Sequence, residues 1–140
     1  MTTPSRSDEA DPSVVFASAR MFSLWRYAIG HSQLLLRSAP DSSNPERLDL
    51  LFEGVSAVQL VSRYEGLELH TLDEAERERI IEMSGVPARL RPGQLVLGLR
   101  SGSKVGYVHC LKASAYLGGT SIMGPSGPSE SIDVIWSLRR

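Results

Sequence analysis

Histidines are the residues of this chain best suited to metal binding or acid–base catalysis, because neutral imidazole binds metals and titrates near neutral pH. The three histidines are His31, His70 and His109. No HExxH or HxH pair joins any two of them, and such spacing is what brings two imidazoles to one metal ion. His109 and Cys110 are neighbours on a predicted strand, so their side chains point to opposite faces. The spacing therefore predicts no metal site, and no cofactor is expected.

Covalent catalysis is the next chemistry that the sequence could support. Cys110 is the single cysteine, so no disulfide forms within the chain, and strand alternation turns its thiol away from the neighbouring imidazole. Unpaired cysteine is among the most buried residue types, and we expect Cys110 in the core. Residues 124–128 (GPSGP) lack the last glycine of a Gly-x-Ser-x-Gly nucleophile elbow. A non-enzymatic protein is favoured; a small enzyme that uses His31, His70 or His109 as a base is an alternative.

Aromatic side chains indicate where the protein could bind. Alternation along the first predicted strand places Trp25 and Tyr27 on one face and Phe22 and Leu24 on the other. If Phe22 faces the core, these two form an exposed or cavity-lining pair, and large aromatics at a surface are typical anchors of protein interfaces. A second group, Tyr107, His109 and Trp136, would line a small-molecule cavity if the sheet closes into a barrel.

Composition and charge exclude several classes of function. The 140 residues are 41% hydrophobic and 22% charged, as in an ordinary single domain. Fifteen Lys and Arg against sixteen Asp and Glu give a formal charge of −1, too little positive charge to favour nucleic acid. No apolar run approaches the ~20 residues of a membrane span, and the N-terminus lacks the pattern of a secretory signal. We therefore expect a cytoplasmic protein that binds neither nucleic acid nor membrane.

The charges are unevenly distributed along the chain. Many of the acidic residues fall in residues 1–13 and in one predicted helix, so the strand-bearing body is more basic than the net charge indicates. This distribution favours an acidic protein partner. Self-association into a homo-oligomer is the alternative, since strand-rich proteins pair through free sheet edges.

Periodicity divides the chain into a tail and one domain. Residues 1–13 lack apolar periodicity and predict a disordered tail, followed by a single β-rich domain over residues 14–140. The predicted fold class is α+β and mainly β: about eight mostly antiparallel strands as a curved sheet, barrel or sandwich, with one covering helix. Residues 47–70 are expected to form a three-strand meander. The strands are predicted near residues 22–27, 33–37, 48–53, 55–61, 67–70, 94–99, 105–111 and 132–138.

The helix has local start and stop signals. Thr71 and Glu74 have the capping-box spacing, which predicts that the helix begins after Thr71. Gly85 followed by Pro87 predicts its end. Its apolar face is narrow, so the helix should lie across the sheet with most of its surface in water.

Three runs of the sequence resemble small uncharacterised bacterial β-rich proteins, some of which are grouped with immunity proteins of toxin systems. These runs are 25–38 (WRYAIGHSQLLLRS), 47–55 (RLDLLFEGV) and 65–67 (EGL), within a stretch from Met21 to His70. The resemblance implies a non-enzymatic cytosolic protein that works by contact. It carries no catalytic signature onto this chain.

The expected function is therefore a β-rich protein-interaction module of the immunity type. The alternative is a small-molecule-binding β-barrel, and the third reading is the histidine-base enzyme named above.

Overall fold

The computed structural model describes residues 11–28, 32–90 and 92–140, in which nine strands form one sheet beside a single α-helix. The strands are β1 (Val14–Ala28), β2 (Gln33–Ser38), β3 (Leu48–Glu53), β4 (Ala57–Gln59), β5 (Arg63–Thr71), β6 (Leu95–Ser101), β7 (Lys104–Cys110), β8 (Lys112–Gly118) and β9 (Ile132–Arg139). The helix is α1 (Glu74–Ser84), and a 3₁₀ turn follows it at Ala88–Leu90. Across the sheet the order is β4-β7-β6-β5-β1-β2-β3-β8-β9, with every neighbouring pair antiparallel. The predicted fold class is confirmed.

Two short connections require the sheet to curve. β3 and β4 lie near opposite ends of the strand order, yet only residues 54–56 join them. β7 and β8 are also far apart in that order, and Leu111 alone connects them. The Leu111 amide donates to the Glu53 carbonyl at 2.9 Å, and the Ser56 amide donates to the His109 carbonyl at 2.8 Å. The result is an open, strongly curved sheet whose two ends approach each other at these connections.

The inner face of the curved sheet forms the main core, because each strand turns alternate side chains towards it. On β3 the inward residues are Leu48, Leu50 and Phe52, as their spacing predicts. Cys110 is fully buried in the same core, so its predicted core position is confirmed. Burying a leucine or phenylalanine side chain stabilises the fold by about 1.5–3 kcal/mol.

The outer face has two covers. α1 lies over β6 and β7, where Ile80 and Ile81 pack against Val96 and Tyr107. The second cover is the loop of residues 119–131, called the covering loop below. Its backbone is bonded to side chains at the start of β3 and on β2.

The start of α1 differs from the prediction. Asp73, not Thr71, caps the helix, and its side chain accepts a hydrogen bond from the Glu76 amide at 2.8 Å. Thr71 is the last residue of β5 and pairs with Leu97, so it is committed to the sheet. The predicted end is confirmed, since Gly85 adopts the left-handed conformation that ends many helices.

The predicted meander over residues 47–70 is wrong. β4 has three residues and lies at the sheet edge beside β7, so the expected interior strand over residues 55–61 does not form. β3 pairs with β2 and β8, whereas β5 pairs with β1 and β6. β8 was not predicted, because the single residue Leu111 separates it from β7 without a turn signal. Local alternation carries no information about which strands become neighbours.

The chain enters β1 through a short turn. The Asp11 carboxylate accepts hydrogen bonds from the Ser13 hydroxyl and amide, at 2.7 and 2.9 Å, and from Arg100 at 3.2 Å. These bonds, led by those from Ser13, lower the pKa of Asp11 to about 2. Most of the predicted tail, residues 1–10, lies outside the described residues, as does His31.

Candidate functional site

A buried ionic cluster organises the outer face of β2 and β3. Arg37 donates through Nε and Nη2 to the two carboxylate oxygens of Asp49, at 2.8 and 3.0 Å. Arg47 donates through Nε to the same carboxylate at 3.3 Å. All three side chains are almost fully buried. Buried charges are tolerated when they are paired and hydrogen-bonded, so this geometry holds both guanidinium groups in fixed positions.

The remaining N–H groups of the two arginines hold the covering loop. Arg37 Nη1 donates to the Ile122 carbonyl at 2.6 Å. Arg47 donates through Nη1 to the Ser121 carbonyl at 2.6 Å and through Nη2 to the Pro125 carbonyl. A segment rich in glycine, serine and proline thereby acquires a defined path across the sheet.

Trp25 lies on top of this cluster. Its ring centroid is 5.1 Å from Cζ of Arg37, a cation–π contact that stabilises by about 0.5–2 kcal/mol. The pairing of β1 with β2 shifts between Leu24 and Arg26, which makes Trp25 the extra residue of a β-bulge. Alternation from the buried Phe22 places Trp25 on the outer face, where 38% of the residue is exposed. The indole is therefore held from below and open to solvent from above.

Exposed apolar side chains from the covering loop lie on the same outer face. Ile122 is 43% exposed and Met123 is 76% exposed, and the Ile122 carbonyl is bonded to the arginine that carries the indole. We call Trp25, Ile122 and Met123 the tryptophan patch. Large exposed apolar side chains grouped in this way are common at interaction surfaces.

Basic residues border the tryptophan patch. Arg26 pairs with Leu35, which is buried on the outer face, so Arg26 is directed to that face too. Ser23 pairs with Arg63 on one side and with Arg37 on the other, which places Arg63 in the same outer row. Arg26 and Arg63 are both exposed. Two exposed arginines therefore lie on the same face as the patch, with the exposed Glu65 next to Arg63 in its row.

Alternation predicts that Tyr27 shares a face with Trp25, and the structure places the two on opposite faces. Tyr27 pairs with Leu34, whose side chain belongs to the inner core. The extra residue of the bulge shifts the alternation by one position, so Tyr27 lies at the rim of the inner face. Tyr27 is 42% exposed there.

The residues proposed to line an internal cavity are not brought together on one face. Tyr107 lies on the outer face beneath α1. His109 is fully buried two residues further along β7, and alternation places it on the same face. Trp136 lies instead against the inner core, with its ring centroid 5.3 Å from that of Phe16.

The groups considered for catalysis are dispersed. His70 lies on β5 and His109 on β7, separated by β6. Burial raises the pKa of the Cys110 thiol to about 12, which suppresses the thiolate a nucleophile needs. Among the described residues, no group of three His, Cys, Asp or Glu side chains is placed to hold a metal ion. Within the same residues, no helix has the length and apolar character to cross a membrane.

The ionic cluster is the feature that sequence reasoning missed. Arg47 and Asp49 share the polar face of the strand predicted over residues 48–53, and this was the available signal. Their convergence with Arg37 depends on the β2–β3 register, in which Arg37 pairs with Asp49. Alternation within one strand does not specify that register.

No family model, curated protein or solved structure matches this chain. The resemblance of residues 21–70 to bacterial β-rich proteins stays a prediction. The function is therefore argued from the geometry of the outer face.

Proposed function

We propose that the protein is a β-rich interaction module that binds an acidic protein partner through the tryptophan patch. The observation that carries this proposal is the placement of Trp25. The indole stands half-exposed on a bulged strand, supported by the buried Arg37. A large aromatic that is already fixed loses little conformational entropy on binding, which is a property of interface hot spots.

The buried ionic cluster beneath Trp25 makes the tryptophan patch rigid. Arg37 is fixed by both carboxylate oxygens of Asp49 and by the Ile122 carbonyl. A partner that covers Trp25 would therefore meet an ordered surface with apolar side chains from two separate segments of the chain. Such a surface suits a protein partner, because large exposed aromatic and apolar side chains are common at protein interfaces.

Charge favours an acidic partner. Arg26 and Arg63 border the patch, and the Lys104 ammonium lies 3.3 Å from the Arg63 carbonyl. Guanidinium groups bind carboxylates through paired N–H donors, and exposed charges also accelerate association. The resemblance of residues 21–70 is to small bacterial β-rich proteins, some of which are grouped with immunity proteins of toxin systems. It motivates an immunity-type role in the cytoplasm, in which the partner is a toxin.

Site-specific photo-crosslinking tests this proposal. The full chain carries a benzophenone amino acid at Met123, in the patch, or at Arg139, an exposed position on β9. We expect one acidic protein to be captured from position 123 and not from position 139. Arg26→Glu with Arg63→Glu should abolish that capture, whereas the matched reversal Arg89→Glu should preserve it.

Three results would contradict the proposal. They are equal capture from positions 123 and 139, capture that survives both charge reversals at the patch, and capture of nucleic acid in place of protein. Equal capture would place the binding surface elsewhere. Capture that survives the charge reversals would exclude recognition by Arg26 and Arg63, and capture of nucleic acid would exclude a protein partner.

Self-association is a second candidate, supported by the edge of the sheet. β9 pairs with β8 alone among the described strands, and it exposes Val134 and Ile135. Unpaired edges of this kind can join two copies of a chain. Sedimentation at several concentrations should then reveal a dimer that Val134→Lys dissociates; a monomer throughout would remove this candidate.

A further inference from the structure

A cleft lies between α1 and the outer face of β5, β6 and β7. It has a volume of about 320 Å³ and opens to solvent beside the helix. Leu72, Ile80 and Met83 form its apolar wall, and polar side chains of the sheet and the helix surround it. Clefts of this size and mixed lining are typical of sites for small molecules.

A glycine creates the floor of this cleft. His70, Gly98 and Tyr107 occupy one row across three neighbouring strands, since Gly98 pairs with both of the others. A Cβ atom at Gly98 would lie 2.3 Å from Cε1 and 2.4 Å from Nε2 of His70. The missing side chain lets the His70 imidazole lie over the Gly98 backbone beside Tyr107, so the ring itself forms part of the floor. A flat, apolar group of a ligand fits this floor.

Polar groups on the sheet side of the cleft are available to form hydrogen bonds with a ligand. The Tyr107 hydroxyl and the Gln59 side chain make no hydrogen bond to any described residue. His70 Nδ1 lies 3.2 Å from the Thr71 carbonyl, to which it can donate, and this leaves Nε2 over the floor. The cleft therefore offers hydrogen-bonding groups beside an apolar surface.

The helix side offers one charge of each sign. Glu76 and Arg79 both line the cleft, three residues apart on α1. Side chains at this spacing can pair, yet no ion pair joins these two; within α1 the ion pair is Arg77 with Glu78 at 3.8 Å. The two charges are thus available to opposite charges on a bound molecule.

We propose that this cleft binds a small zwitterion of the amino-acid type with a large apolar side chain. The ligand's carboxylate binds Arg79 and its ammonium group binds Glu76. Its apolar side chain lies against the His70 imidazole over Gly98, between the helix wall and Tyr107. This site is separate from the tryptophan patch, which lies over β1 and β2, and its occupancy does not depend on the proposed partner.

Three ligands that share an indole ring test the proposal by isothermal titration calorimetry. They are L-tryptophan, which is a zwitterion, indole-3-propionate, which carries the acid alone, and tryptamine, which carries the amine alone. We expect tryptophan to bind with a Kd between about 10 µM and 1 mM, as is usual for ligands of this size. Each single-charge analogue should bind at least about tenfold more weakly, because it leaves one charge of the cleft unpaired. An analogue that equals tryptophan would overturn the zwitterion, and no binding by any of the three would overturn the site.

Variants locate the binding and separate it from misfolding. Arg79→Gln and Glu76→Gln should each weaken tryptophan binding at least about tenfold, whereas Glu82→Gln and Arg89→Gln should leave it unchanged. Gly98→Ala should abolish binding by displacing the imidazole, and a retained thermal transition shows that this variant is folded. Equal weakening by the control variants would place the ligand elsewhere.

Trp25→Ala distinguishes the two proposals. It removes the centre of the tryptophan patch and should leave the affinity for tryptophan unchanged. Loss of tryptophan binding in this variant would mean that the indole ligand sits at the patch, and the cleft proposal would fail while the partner proposal stayed open.

Discussion

The strongest stability prediction concerns Asp49→Asn, which removes the only carboxylate from the buried ionic cluster. In the native protein this carboxylate accepts three hydrogen bonds, two from Arg37 and one from Arg47. Asparagine keeps the shape but loses the charge, and its amide nitrogen faces a guanidinium donor. Two buried positive charges would then have no counter-ion among the described residues.

The size of the effect follows from the burial of all three side chains. Removing one partner of a buried ion pair destabilises a protein by about 3–5 kcal/mol. For a domain of this length, 1 kcal/mol corresponds to roughly 3–5 °C in Tm, so we expect Tm to fall by about 9–25 °C. The covering loop should also loosen, because the arginines that bind its carbonyl oxygens lose their fixed positions.

Urea unfolding measures this change in the free energy of unfolding, and limited proteolysis reports on the covering loop. Asp133→Asn is the matched control, since Asp133 is an exposed carboxylate on β9 and its loss should change stability by less than about 0.5 kcal/mol. Cleavage within residues 119–131 should accelerate in Asp49→Asn and not in the control.

A loss below about 1 kcal/mol for Asp49→Asn would refute this reasoning. Such a value is typical of exposed ion pairs, and it would mean that water reaches the cluster in solution. The rigid support proposed for Trp25 would then be lost as well.

Three further predictions address other parts of the fold. Cys110 should react with a thiol-specific disulfide reagent at pH 8 no faster than the protein unfolds, because its thiol is fully buried and burial also raises its pKa to about 12; rapid labelling of the native protein would contradict this. Asp11 has a pKa lowered to about 2 by Ser13 and Arg100, so its stabilising contribution is present above about pH 4 and is lost as the pH falls towards 2. The difference in Tm between wild type and Asp11→Asn should therefore shrink over that range, and a constant difference would count against the bonds. Gly106→Ala should destabilise by about 1–3 kcal/mol, since a Cβ there would lie 2.2 Å from the Gln59 carbonyl oxygen; an unchanged unfolding curve would argue against this close approach.

The regular strands could be predicted from the sequence because burial of one face imposes alternation. Leu48, Leu50 and Phe52 point into the inner core as their spacing indicates. The helix stop at Gly85 could also be predicted, since it depends on backbone conformation within a few residues.

Features that depend on distant segments could not be predicted. The bulge at Trp25 separates this residue from Tyr27, and it follows from the pairing of β1 with β2. The β2–β3 register brings Arg37 to Asp49, and the path of the covering loop then follows from the arginines. Pairing of this kind depends on packing over the whole sheet, so the candidate site became visible only with the register.

The central claim is that the partner binds the outer face at Trp25, and one comparison of affinities tests it most directly. Trp25 and Tyr27 are aromatic, similarly exposed and two residues apart, but they lie on opposite faces of β1. With the captured partner, Trp25→Ala should raise Kd at least about 30-fold, the effect of losing a hot-spot residue, while Tyr27→Ala should change it less than about threefold. Equal losses for the two variants, or a larger loss for Tyr27→Ala, would contradict the claim.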